Sequence, residues 1–436
     1  MEHIDQIIHA KWILSDAQQT TVLDNHALII DQGVIKAIIP SKDVAARYTA
    51  KTTEHFSTHA IIPGLINSHT HIAMNYFRGL ADDLALMNWL NNHIWPAEKK
   101  WVNHEFVYDA SLFAMAEMIR GGTTCFNDMY FFLPATAQAA DIAGIRANIG
   151  ITVLEFPTQW AQTADEYLTR GMAFYEEYKN HPRITATMAP GHPFTVSDAS
   201  FVRINELAEE HNLKINLHLH ETADEVNQSL EQFKKRPIKR LHDLGFISPR
   251  LIAVHMTQIN DEDFEILAST KPNIAHCPES NMKLASGVCP IEKLQAMGIN
   301  VALGTDGAAS NNDLNMLGEM RSAAFLAKLS NRNPEILSAG ETMKLATING
   351  AKALGIDHIT GSLTIGKAAD FAAINLDEIE TQPLYHPISQ IVYAASRQQV
   401  TDVWVAGKQL LKNRKLLTLD EKELIAKAKY WGEKVK

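Results

Sequence analysis

Residues 60–72 read AIIPGLINSHTHI, an apolar run that ends in two histidines one residue apart. Side chains alternate faces along a strand, so residues two apart point the same way. His69 and His71 therefore project together from the end of a buried strand, and neutral imidazole is the commonest ligand for zinc and related cations. The same texture recurs downstream. Apolar runs at 122–129 (GTTCFNDM), 145–154 (IRANIGITVL), 183–190 (RITATMAP), 214–221 (KINLHLHE), 250–257 (RLIAVHMT), 272–279 (PNIAHCPE) and 300–307 (NVALGTDG) are separated by amphipathic stretches such as DASLFAMAEMIRG at 109–121. Strands alternating with helices predict a parallel sheet with right-handed crossovers, and eight repeats predict a closed (β/α)8 barrel.

Both chain ends read differently, as short strands with turns: DQIIHAKWIL and HALIIDQGVIKAIIP at the start, ADFAAINLD and VTDVWVAGKQLLKNRKL near the end, then a closing helix KELIAKAKYWGEKV. The expected fold class is therefore α/β: a TIM-type barrel at 61–360, with a small β-sandwich formed by 1–60 and 361–436.

Composition narrows the function. With 46% hydrophobic and 21% charged residues, the 436-residue chain is ordinary globular protein. A formal charge of −10, and no basic run longer than KKR at 234–236, argue against a nucleic-acid partner. KKR reads as a solvated helix face. Cys125, Cys277 and Cys289 are far apart and form no C-x-x-C, which suits a reducing cytoplasm better than a disulfide framework. The start, MEHIDQIIHAKWILSDAQQ, has no uninterrupted apolar leader, and no stretch is long enough to span a bilayer. A cytoplasmic protein acting on a small molecule is expected, with a homo-oligomer allowed for.

Barrel active sites lie at the C-terminal ends of the strands, and the reactive residues here fall there. Strand one ends at His69 and His71, strand five at His218, His220 and Glu221, strand six at His255, and strand eight at Asp306. Three histidines and an aspartate suit one divalent ion, zinc above all, with a position left for water. His218 and His220 share a face, so the pattern allows either as the ligand. Glu221 faces the other way on a regular strand, unless the loop swings it over the mouth. Asp306 is placed to take a proton from the attacking water, Glu221 to act as general acid–base, and His255 to donate a hydrogen bond to the water's oxygen. Strand four ends in TATMAPGHP, with no Lys or Glu to bridge a second metal.

Taken together, PGLINSHTH, NLHLHET, AVHMT, HCPESNMKLASG, GTDGAASNN, ATINGAKALGI and GSLTIGKAADFAAI resemble the amidohydrolase superfamily across almost the whole chain. Within it they are most similar to the branch of 5-methylthioadenosine/S-adenosylhomocysteine deaminases. The resemblance implies that His69, His71, His218 and Asp306 bind the metal, that Glu221 shuttles a proton to a ring nitrogen, and that His255 lies near the attacking water. It places Glu98, in HIWPAEKKW, at the ribose-binding position, where position alone suggests a surface glutamate after Pro96. It also implies a substrate-binding histidine in the strand-four loop. Here APGHPFT puts Gly191 in that histidine's place and shifts His192 by one, so His192 is carried as a substrate-binding residue on the strength of glycine's flexibility.

The implied reaction is hydrolytic deamination of an adenine nucleoside: methylthioadenosine, S-adenosylhomocysteine or adenosine. Deamination or dehalogenation of another heterocycle, such as a guanine-type base or a triazine, is the first alternative, and a metal-binding scaffold without catalysis the second. Other zinc deaminases use H-x-E with P-C-x-x-C, which this chain lacks. Asp224 and Glu225 read as first-turn helix acids, and His276 as structural. Trp89, Trp95 and Trp101 read as core, with a share in an apolar substrate pocket as the alternative.

Overall fold

A computed structural model of the chain describes residues 1–15 and 21–436; the end of the stretch read above for a leader, 16–19, lies outside them. Its strands form two eight-stranded sheets. The first uses Glu2–Leu14 (β1), Val22–Asp31 (β2), Val34–Pro40 (β3) and Tyr48–Pro63 (β4). The barrel follows with Leu65–Thr70 (β5), Thr123–Asp128 (β6), Arg146–Val153 (β7), Ile184–Pro190 (β8), Ile215–Leu219 (β9), Leu251–His255 (β10), Asn273–His276 (β11) and Val301–Leu303 (β12). Phe371–Asn375 (β13), Val400–Val405 (β14), Lys408–Lys412 (β15) and Lys415–Leu416 (β16) then complete the first sheet.

Barrel strands pair in sequence order from β5 to β12, all parallel. Ile151, Ile215, Leu217, Leu219, Leu251 and Leu303 are fully buried, each stabilising the fold by about 1.5–3 kcal/mol relative to exposure. Side chains help to close the seam between β12 and β5. Asn67 donates to Thr305 Oγ1 at 2.7 Å and accepts from the Thr305 N–H at 3.0 Å, while Thr70 Oγ1 donates to the Asp306 carbonyl at 2.9 Å. A side chain at Gly304 would lie 2.8 Å from the His69 backbone, so only glycine permits this approach.

The run at 60–72, expected as one strand, is two. Residues 60–63 end β4, pairing with β1 and β13, and the barrel begins at Leu65. The peptide of Gly64 marks the change of sheet, giving its N–H to the Asp370 carbonyl at 3.0 Å. In the other sheet, a bridge from Val34 to Ala368 draws the β2–β3 edge over onto the C-terminal segment, so the sheet encloses its own core of Ile8, Leu28, Ile35, Phe371 and Trp404. The two sheets are tied by Arg146, which donates to both oxygens of the fully buried Asp370 side chain. All three cysteines are buried and free. Among the described residues no helix is long and apolar enough to cross a membrane.

Candidate active site

Four side chains converge at the C-terminal mouth of the barrel: His69 and His71 from β5 and the residue after it, His218 from β9, and Asp306 three residues beyond β12. Their ligand atoms all lie within 4.8 Å of one another. His71 Nδ1 lies 2.6 Å from the Met129 carbonyl and His218 Nδ1 lies 2.9 Å from that of Gly191. Carbonyl oxygens only accept, so each ring carries a proton on Nδ1 and turns Nε2 inward, where a neutral imidazole presents a lone pair. Those two Nε2 atoms are 3.1 Å apart. Two facing lone pairs need a cation between them. His69 Nε2 is buried, points at Asp306 Oδ1 from 3.4 Å, and has no hydrogen-bond partner. The donor set and its orientation thus fit one divalent ion.

Backbone geometry explains which histidine of HLHE serves. The strand ends at Leu219, and His220 takes a positive φ of 52°. His220 turns away, its Nδ1 3.0 Å from the Gln258 carbonyl and its ring beside Asp263; the same turn brings Glu221 to the cavity. His255 (φ 73°) and Asp306 (φ 62°) also sit in the left-handed region, which ordinary residues occupy only when their surroundings hold them there.

Asp306 is surrounded by donors. Ser280 and Ser310 hydroxyls donate to Oδ2 at 2.7 and 2.8 Å, and the Gly307 N–H donates to Oδ1 at 2.8 Å. Burial alone would raise its carboxyl, but the neighbouring His69 and His71 outweigh that and hold it well below the ordinary range. Burial also pulls His71 down, yet Asp306 reverses the effect and lifts it to about 9; His69, fully buried, falls to about 4. Burial raises Glu221, the form a proton donor needs, while the neighbouring His255 opposes the rise. His255 Nδ1 is 2.8 Å from Asn281 Oδ1, leaving Nε2 free, 3.7 Å from Glu221 Oε2.

A cavity of ≈ 750 Å³ opens over this cluster and is bounded by Glu98, His192, Glu221 and His255. Glu98 comes from the short helix Trp95–Trp101 and accepts a hydrogen bond from the Tyr130 hydroxyl at 2.8 Å. The helix turns it into the cavity, so it is not the surface glutamate its position after Pro96 suggests. His192 lies in the cavity wall with its ring stacked 4.3 Å from His218. Gly191 does not achieve this by an unusual φ. It is there because a Cβ would sit 2.6–2.7 Å from Leu154 and Thr195. Trp89 and Trp95 line the cavity, and Trp101 does not.

Several contributors were not apparent in the sequence. Tyr130, Phe132 and Trp160 line the cavity from loops. Glu225 is more than a first-turn acid: it is buried and accepts the backbone N–H groups of His220 and Glu221 at 2.9 and 2.7 Å. The signal was the T-x-x-E spacing of Thr222 and Glu225, a capping-box pattern whose glutamate here reaches one and two residues further back than usual. Within KKR, Lys234 and Lys235 are exposed as expected, while Arg236 is half-buried and pairs with the buried Asp263.

A parallel (β/α)8 barrel holding three histidines and an aspartate at the C-terminal ends of its strands defines a hydrolase that works with one divalent metal ion. Residues 60–410 match the amidohydrolase family. The 5-methylthioadenosine/S-adenosylhomocysteine deaminase of Teredinibacter turnerae is 44% identical over 432 residues, spanning 99% of this chain and 98% of its own. A crystal structure of an adenosine deaminase from Xanthomonas campestris with bound zinc is 44% identical, with a TM-score of 0.98 over 100% of this chain and 99% of that one. The atrazine chlorohydrolase of Arthrobacter aurescens, complexed with zinc, shares the fold at 22% identity, with a TM-score of 0.92 over 98% of this chain and all of its own. The chain belongs to the amidohydrolase family.

Proposed function

We propose that the protein is a zinc-dependent deaminase of adenine nucleosides, methylthioadenosine and S-adenosylhomocysteine foremost, releasing ammonia to leave the inosine-type product. The observation that carries this reading is the Glu98–Tyr130 pair in the same cavity as the metal cluster. A carboxylate there accepts the two hydroxyls of a ribose, a demand no free base or triazine makes. The relatives named above, nearly half identical end to end, support it. His69, His71, His218 and Asp306 would hold the divalent ion, which when bound would lower the pKa of water to near neutrality.

The protein's own groups then divide the work. Asp306 takes one proton from the water that attacks C6 and carries it to the departing amine. Glu221 gives a proton to N1 and recovers one from the new C6 hydroxyl as the carbonyl forms, so the cycle balances as water plus nucleoside to product plus ammonia. His255, with Nδ1 2.8 Å from Asn281 Oδ1, turns Nε2 toward Glu221 and hydrogen-bonds the oxygen of the attacking water. His192 stacks beside His218 and faces the sugar. We assign catalysis to residues 61–360, with 1–60 and 361–436 as the supporting domain, and place the protein in the cytoplasm.

Ammonia release by the zinc-loaded protein tests this. The substrate panel is methylthioadenosine, S-adenosylhomocysteine, adenosine, adenine, guanine and a triazine. Turnover of the nucleosides is expected. Turnover confined to free bases or triazines would overturn the nucleoside assignment and leave the metal chemistry standing, and stoichiometric zinc without any turnover would mark a scaffold.

A further inference from the structure

Past Glu98 the cavity wall is aromatic, with Phe132, Phe156 and Trp160, and its rim is polar again. Three rim side chains keep unused hydrogen-bonding atoms. Lys99 follows Glu98 on the helix Trp95–Trp101, is exposed and lines the cavity; among the described residues its ammonium meets no carboxylate or carbonyl. Gln159 donates its side-chain N–H to the Lys99 carbonyl at 3.0 Å, which fastens the 155–162 loop to that helix. Gln162 donates in the same way to the Thr158 carbonyl at 2.8 Å. With both amide nitrogens committed, both amide oxygens are left as acceptors.

One ammonium donor beside two amide acceptors is the complement of an α-amino-acid zwitterion: Lys99 for the carboxylate, Gln159 and Gln162 for the amino group. Glu98 and Lys99 line the same cavity, so a nucleoside whose ribose is held at Glu98 can extend its 5′ substituent along that cavity toward Lys99. The cavity's aromatic wall suits a thioether, since sulfur packs favourably against aromatic rings.

We propose that Lys99, with Gln159 and Gln162, forms the subsite that reads the amino-acid tail of a 5′-thioether nucleoside, and so sets the preference between S-adenosylhomocysteine and methylthioadenosine. This rests on the nucleoside-deaminase reading above.

The test is the ratio of kcat/KM for the two substrates, measured on the metal-loaded full chain and on Lys99→Met, which keeps the stem and removes the charge. The ratio should shift about tenfold against S-adenosylhomocysteine, the low end for a charged hydrogen bond because the site is exposed. In the wild type it should also decline as salt rises, and in the variant stay flat. Calorimetric binding of the inosine product of S-adenosylhomocysteine should weaken by a similar factor, which places the effect in binding. Deamination of both substrates with an unmoved ratio overturns the subsite alone. If the wild type deaminates neither, the underlying reading falls and the subsite with it.

Discussion

Burial lifts the Glu98 carboxyl to about 7, although the Tyr130 hydroxyl pulls the other way. Only the ionised form accepts both hydroxyls of a ribose. For a nucleoside, kcat/KM should therefore fall as pH drops through about 7, approaching tenfold per unit. Glu98→Gln replaces one acceptor oxygen with a donor, leaving a hydroxyl unpaired. The expected loss is on the order of tenfold to a hundredfold in nucleoside kcat/KM, with the limb near pH 7 gone and free bases unaffected. A pH–rate profile of the variant checks this; a limb that survives there belongs to another group. Nothing physical in the pattern at 98 points inward, because a glutamate two residues after a proline suits a helix start equally well. Its partner Tyr130 lies 32 positions away on another loop, a pairing only the folded chain reveals.

Element by element, the strands were legible and their endings were not. Eight apolar runs of strand length, each followed by a helical or long connecting segment, leave little choice of architecture. Period-two alternation, however, holds only while the strand lasts, and β9 stops one residue before His220. That residue's positive φ is what separates His218, in the cluster, from His220, outside it, and turns Glu221 inward. The turn is gripped by Glu225, whose two oxygens take the N–H groups of His220 and Glu221. Glu225→Gln leaves one of those buried N–H groups without an acceptor. Stability should fall by about 1–3 kcal/mol. Because substrate contacts stay in place while the proton carrier is misdirected, kcat should fall with little change in KM. Steady-state kinetics beside a urea melt separate the two effects. A melt that shifts while kcat holds would show that Glu225 secures the loop without aiming Glu221.

For the whole molecule, the metal ligands come from the first, fifth and eighth barrel strands, so a bound ion spans the β5–β12 seam and joins it to the opposite wall. The sequence showed which strand ends would meet, since all four ligands stand at C-terminal ends, while the strand pattern left His218 and His220 open. It could not show the tautomers, which are fixed by two backbone carbonyls far along the chain, those of Met129 and Gly191. With Nδ1 protonated in both rings, His71 and His218 can hold Nε2 atoms 3.1 Å apart only if something positive lies between them. Without the ion that must be a proton, and His71, lifted to about 9 by Asp306 against the pull of burial, retains one at neutral pH. Binding zinc at pH 7–8 should therefore release close to one proton, and the apparent affinity should rise with pH until about 9. Calorimetric titration in two buffers of different ionisation enthalpy reads that proton directly, and identical heats in both would refute the shared-proton geometry. The same linkage ties the ion to the fold. At a free concentration a thousandfold above Kd, an ion bound only by the native state adds about 4 kcal/mol. A chelator should thus lower Tm in the wild type. Asp306→Asn, which keeps the size of the side chain but removes its charge, should lose turnover and most of that chelator-sensitive increment while retaining its far-ultraviolet spectrum. An Asp306→Asn protein with near-normal rates would remove the carboxylate from both the cross-link and the chemistry.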